Sequence, residues 1–103
     1  MDKATVLEEA ERIVSGSRRQ EYGTPLDNWN DTAAIWNVLL HKKLKEPLTA
    51  DDAILCMLGV KLARLAFAPK RDSVVDIAGY ARCLEMINEE RERRAAIENV
   101  KRG

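Results

Sequence analysis

Residues 49–87 read TADDAILCMLGVKLARLAFAPKRDSVVDIAGYARCLEMI, and the fold turns on how this stretch is arranged. Thr49 and Asp52 have the spacing of a capping box, with aspartate in place of the usual glutamate or glutamine, so a helix starts here. It runs from about Ala50 to Ala66. Ile54, Leu55, Cys56, Met57, Leu58, Val60, Leu62 and Leu65 leave it almost no polar face. A helix apolar nearly all round is expected in the middle of a bundle. Pro69 closes it, and Asp72 can cap a second helix whose Val75, Ala78, Leu84 and Ile87 face inward with Val74, Ile77 and Ala81. Two helices about one proline make an antiparallel hairpin.

Two further helices precede this hairpin. Val6, Leu7, Ala10, Ile13 and Val14 recur at helical spacing, and Gly16 follows as a C-terminal cap. Residues 15–25 carry Gly16, Gly23 and Pro25 without apolar periodicity and read as a loop. A helix opening at Leu26 or Asp27 then places Leu26, Trp29, Ala33, Trp36 and Leu40 on one seam, and Pro47 ends it. From Asn88 to Gly103 the pattern turns charged. The pairs Glu89/Arg93 and Glu90/Arg94 suit a solvated extension of the last helix, and Ala95, Ala96, Ile97 and Val100 are available to a partner chain. The expectation is an all-α, four-helix bundle-like single domain over residues 1–103, with helices 3 and 4 close-packed and the C-terminal helix extended.

Composition narrows the function. The 103 residues are 46% hydrophobic and 33% charged, which fits one folded domain. The longest apolar run, Ala53 to Val60, falls far short of the ~20 residues of a membrane span. The first residues lack the apolar core of a signal peptide, so the expected location is the cytoplasm. Seventeen basic residues balance seventeen acidic ones, which argues against general nucleic-acid binding. Cys56 and Cys83 fall in apolar helical stretches and are expected to be buried packing residues. With the lone His41 they cannot complete a four-ligand zinc site.

Chemistry-bearing residues concentrate at the hairpin. Gly59 and Gly79 each lie ten residues from Pro69, so they are expected to face each other and let the backbones approach. The same levelling puts Arg64 near Asp76 and Lys61 near Tyr80. Lys61 and Arg64 share a helix face, and Asp72, Asp76, Tyr80 and Cys83 fall along one side of the next helix. Two readings stand side by side. One is an Arg64–Asp76 ion pair that registers the hairpin. The other is a pocket in which Lys61 and Arg64 hold phosphate while Asp72 and Asp76 hold a metal or hydroxyls. Arg18, Tyr22, Asn28 and Trp29, in and after the first loop, add charge, rings and an amide suited to a planar phosphorylated ligand. Glu8, Glu9 and Glu11 read as a solvated face, and Asp51 and Asp52 as first-turn acids.

The order Arg18-x-x-x-Tyr22-Gly23-x-Pro25-x-x-Asn28-Trp29, Thr49-x-x-Asp52, Lys61-x-x-Arg64 and Asp72-x-x-x-Asp76-Ile77-Ala78-Gly79-Tyr80 resembles a small domain family of phages and prophages. That resemblance implies a phage or prophage origin, an all-helical fold and no established activity. More distantly, the chain is similar to all-α nucleoside triphosphate pyrophosphohydrolases of the MazG and dimeric dUTPase type. This second likeness implies a magnesium site of Asp52, Asp72 and Asp76, with Asp72 and Asp76 catalytic. Arg18, Tyr22, Asn28, Trp29, Lys61, Arg64 and Tyr80 would bind the nucleotide. The acid pattern is incomplete, since Leu55, Ser73 and Arg12 stand where carboxylates are expected. The alternatives are a non-catalytic binder of a nucleotide or cyclic nucleotide defence signal, and an interaction protein without a ligand. A homo-oligomer is expected under each, because the apolar content exceeds what so small a bundle readily hides.

Overall fold

The computed structural model describes residues 3–16 and 23–102. Among them are four helices and no strand: α1 (Val6–Ser15), α2 (Pro25–Leu40), α3 (Ala50–Phe67) and α4 (Arg71–Arg102). Local chemistry sets each start. The Thr5 hydroxyl accepts the Glu8 N–H while the Glu8 carboxylate accepts the Thr5 N–H, a complete capping box. Thr49 and Asp52 repeat it at α3, as expected. α2 begins earlier than expected. The Thr24 hydroxyl caps the Asp27 N–H, and Pro25 takes the first-turn position where its missing N–H costs nothing. α2 also ends earlier, at Leu40 and well before Pro47. There the Asn37 side-chain amide donates to the Leu48 carbonyl and accepts the Leu48 N–H, clamping the connection to α3. α4 begins at Arg71, so Asp72 lies inside its first turn and does not cap it.

The central helix is α4, and this corrects the expectation placed on α3. α4 packs against all three others, α2 and α3 pack together on it, and α1 lies along α4 with its Val14 entering the core cluster that holds Leu26 and Trp29. Its inner stripe is Val75, Gly79, Cys83 and Ile87, with Val74 and Ala81 turned out to solvent. Ile54 and Ile87 are the largest fully buried side chains, set among Leu26, Trp29, Ala33 and Ala53. α3 buries Ala50, Ala53 and Ile54 and exposes its outer side, including Leu55, Leu62 and Cys56. Cys83 is buried as expected, whereas Cys56 is not.

α1 lies over α4 rather than α3 for two reasons. Gly79 leaves room for it, with Val14 Cγ2 3.5 Å from where a Cβ at position 79 would stand. The acids of α1 also have partners on α4: Glu9 accepts from Arg71, and Glu11 accepts from Arg82 at 2.8 Å. The face expected to be solvated is therefore an inter-helix contact. The charged end of α4 behaves likewise. Arg91 donates to Asp51 of α3 at 2.6 Å, and Arg94 grips Asp27 of α2 with two nitrogens at 3.0 and 3.1 Å. Glu90 pairs with Arg94 as expected and also with Arg93, whereas Glu89 turns to Arg82. Residues 91–102 are otherwise exposed.

These arginines set an acid limit. Hydrogen bonds from Arg82 and Ser15 hold the Glu11 carboxyl below its ordinary value, those from Arg94 and Thr24 do the same for Asp27, and Arg91 does so for Asp51. Arg93 and Arg94 bring Glu90 down to about 2. A carboxylate with a lowered folded pKa contributes fully above its unfolded value and loses that contribution as pH falls through the folded one. The unfolding temperature is therefore expected to stay level from pH 7 to about 5 and to fall between about 4.5 and 2. Asp27→Asn combined with Asp51→Asn should flatten part of that fall in a circular-dichroism melt series. An unchanged slope would contradict these pairs.

Candidate ligand cleft between α3 and α4

Lys61 and Arg64 come from the second half of α3, Asp72 and Asp76 from the first half of α4, and Pro69 folds the two halves together. All four residues line one open cleft of about 800 Å³. The Lys61 ammonium lies 2.8 Å from an Asp76 oxygen, with the lysine side chain only 12% exposed and the aspartate 41%. The ion pair at the hairpin is thus Lys61–Asp76 and not Arg64–Asp76. Counted from Pro69, Lys61 is eight residues back and Asp76 seven on, so these two stand at matching heights.

Phe67 and Lys70, not singled out from the sequence, also line the cleft, as does Ser73. Phe67 is 93% exposed at the end of α3, and Ser73 is buried at the cleft floor. Phe67 is the chain's one phenylalanine, and Lys70 sits in the turn joining the two charged pairs. Both were open to notice on those grounds.

The charge balance can be read from these residues. Lys61, Arg64 and Lys70 face Asp72 and Asp76, and the Lys61–Asp76 pair neutralises itself. Among the described residues Arg64 and Lys70 have no ion-pair partner, so two cations stand against one carboxylate. The C-terminal end of α3 and the first turn of α4 both border the cleft, and their half-charges of opposite sign largely cancel. The side chains therefore set its sign, which favours an anion.

Other expected site residues lie elsewhere. Trp29 is buried in the core and meets Tyr80 edge-on, with ring centroids 5.7 Å apart and planes at 81°. With Gly79, Asp76 and Cys83 they border a separate small pocket of about 50 Å³, and neither ring lines the cleft. Asn28 is half-buried in the first turn of α2, where its carbonyl accepts the Thr32 hydroxyl. Arg18 and Tyr22 lie outside the described residues.

Asp52 is tied into its cap with Thr49. It stands nine residues before Lys61, roughly 13 Å along the helix. No three carboxylate, histidine or cysteine side chains converge to hold a metal among the described residues. The expected trio Asp52, Asp72 and Asp76 is therefore not assembled. Asp76 already faces an ammonium, which a divalent ion would have to displace. Of the three acids, Asp72 and Asp76 share the cleft and Asp52 does not.

Gly59 does not face Gly79 either. A Cβ added at Gly59 would meet nothing within 4 Å, so this glycine sits on the outer side of α3.

Fold and cleft together define an all-α four-helix domain with a cation-rich cleft in its C-terminal hairpin. The chain belongs to the family described as a domain of unknown function, DUF6378, which matches residues 5–91. It is 39% identical over 87 residues to the Gene 55 protein of Mycobacterium phage D29, covering 84% of this chain and 55% of that protein. It is 38% identical over 82 residues to the Gene 55 protein of Mycobacterium phage L5, covering 79% and 51%. The chain spans about half the length of these curated relatives. They bear out the expected phage association, and none of these matches bears on the likeness to pyrophosphohydrolases. No solved structure matches. Among the described residues no helix is long and apolar enough to cross a membrane.

Proposed function

We propose that the α3–α4 cleft binds a phosphorylated small molecule, with a nucleotide as the ligand class, and that it does so without a metal and without turnover. The supporting observation is the convergence of Arg64 and Lys70, neither with an ion-pair partner among the described residues, on a cleft that also holds the Lys61–Asp76 pair. In this reading Arg64 takes phosphate oxygens through its fork of donors and Lys70 adds a point charge. Phe67 offers a face on which a base stacks. Asp72 and the exposed oxygen of Asp76 accept hydrogen bonds from ribose hydroxyls or base amines.

The test is a thermal-shift and calorimetric panel of pyrophosphate, nucleoside mono-, di- and triphosphates and cyclic nucleotides, each with and without magnesium. A ligand at ~100 times its Kd stabilises the fold by roughly 2.7 kcal/mol, a shift of many degrees for a domain this size. The expected result is a shift that grows with phosphate number, falls with added salt and does not need magnesium. Release of pyrophosphate in the magnesium arm would convert the binder into an enzyme and overturn this reading. A panel with no shift would end it.

A further inference from the structure

The side of α2 turned away from the core is apolar and bare. Leu26, Trp29 and Ala33 are buried, and helical spacing sets Ala34, Ile35, Val38 and Leu39 on the opposite side. Ile35 is 61% exposed, and Val38 and Leu39 are 73% each. Charges of opposite sign close the two ends of this stripe. Asp31 stands one turn before it. Lys42 follows on the same side, because His41 keeps helical backbone angles of φ −53° and ψ −32°. Both are exposed and neither has an ion-pair partner among the described residues, whereas Asp27, one turn earlier, is taken by Arg94.

We infer that a second copy of this chain docks along this stripe, antiparallel, with Asp31 of each copy against Lys42 of the other. Charge complementarity singles out a second copy as the occupant. The face carries an acid at one end and a base at the other, so a fitting partner must carry the reverse order. The stripe itself does so when turned end for end. Asp31 stands four residues before Ile35 and Lys42 four after Val38, so pairing Ile35 with Val38 closes both ion pairs at once. An interface of this two-fold kind uses one patch twice. A parallel copy would instead set Asp31 on Asp31 and Lys42 on Lys42. Beyond the stripe the signs agree with the antiparallel choice, since Lys43 and Lys45 extend the basic end and Asp27 the acidic one. Antiparallel helix dipoles favour it as well.

Size sets the strength of the contact. From Asp31 to Lys42 the stripe is roughly 16 Å long. It is much smaller than the ~20–30 residues a side of a tight interface, so the dimer Kd is expected at about 10–100 µM. Part of that affinity comes from solvent-exposed charges and is screened by salt. In melts at low micromolar concentration the chain is then a monomer, and Val38 counts there as an ordinary exposed side chain.

The experiment is sedimentation and light scattering on the 103-residue chain from roughly 1 µM to 1 mM. Wild type is expected to pass from monomer to twice that mass, with a Kd that rises with added salt. Asp31→Lys and Lys42→Asp, each alone, set like charges together at both ends of the stripe. Each should raise the dimer Kd about tenfold or more with helicity unchanged, since both positions are exposed. Mixed in equal amounts, the two variants restore opposite charges at both contacts, so a mixed dimer of near wild-type Kd is expected. Val38→Glu should weaken the dimer without such rescue, and Leu62→Glu, on the exposed side of α3, should leave it unaltered. A wild-type monomer at the highest concentration would overturn the proposal and leave the face to some other occupant. So would a mixture that pairs no better than either variant alone, or a dimer that yields only to Leu62→Glu. The inference does not rest on the phosphate reading. Arg64→Ala is expected to lose ligand and keep the dimer, so either idea can fail alone.

Discussion

Replacing Ile54 with alanine is expected to lower the unfolding free energy by about 3 kcal/mol, within the 2–5 typical of such truncations. Ile54 is fully buried in the cluster that joins α2, α3 and α4. The loss combines the transfer term of the removed carbons with the cavity they leave, because Trp29, Ala33 and Ile87 are fixed by helices that cannot all close in. Against a total of about 5–15 kcal/mol for a domain of this size, that is a large fraction. It corresponds to a drop of about 12–24 °C in unfolding temperature. Urea unfolding should move its midpoint and keep its slope. Val38→Ala, at an exposed position on α2, should change stability by no more than about 0.5 kcal/mol. A loss below about 1 kcal/mol for Ile54→Ala would mean that the core lies elsewhere.

Arg64→Ala is expected to weaken binding of a nucleoside triphosphate or pyrophosphate about 10- to 100-fold, the equivalent of one hydrogen bond to a charged group. Folding should be almost untouched, because Arg64 is exposed and has no ion-pair partner among the described residues. Lys61→Met separates the two roles at the cleft. It removes the partner of Asp76 and leaves a carboxylate with no counter-charge near the incoming phosphate, so affinity falls while the half-exposed aspartate stays hydrated. Titration calorimetry at two salt concentrations reads both variants. If Arg64→Ala stays within about twofold of wild type, the phosphate-binding role of this cleft is wrong.

Helix existence and order were open to sequence reading because they depend on local chemistry: the Thr49/Asp52 cap, the Pro69 break, and the Leu26-Trp29-Ala33 stripe. Rotation about each helix axis was less legible. Counting from Pro69 gives the height of a residue along the hairpin and says nothing of which way it faces. Gly59 and Gly79 therefore share a level and look in different directions, one outward and one toward Val14. A helix as evenly apolar as α3 carries no phase in its pattern, so the sequence could not say which side stays uncovered. Lys61, Arg64, Asp72 and Asp76 line one cleft because they lie close in height along the hairpin, yet the levelling set Arg64 rather than Lys61 beside Asp76. The placement of Trp29 and Tyr80 in the core depended on how α2 crosses α4, which no spacing along the chain encodes. Asp52 carried two roles, a cap read from its spacing to Thr49 and a metal ligand implied by the distant likeness. A capping carboxylate and a metal ligand look alike in sequence, and here the cap holds the side chain.

The placement of α1 along α4, away from the α2–α3 contact, has a consequence for how the molecule opens. A ten-residue helix is too short to persist in water unaided. Its departure would withdraw Val14 from the core and uncover Gly79 and Val75, yet leave α2, α3 and α4 packed on one another. Amide hydrogens of α1 should therefore exchange with solvent deuterons through this partial opening, well before those around Ile54 and Ile87, which wait for global unfolding. Acidification that releases Glu11 from Arg82 should widen the gap between the two exchange rates while the centre stays protected.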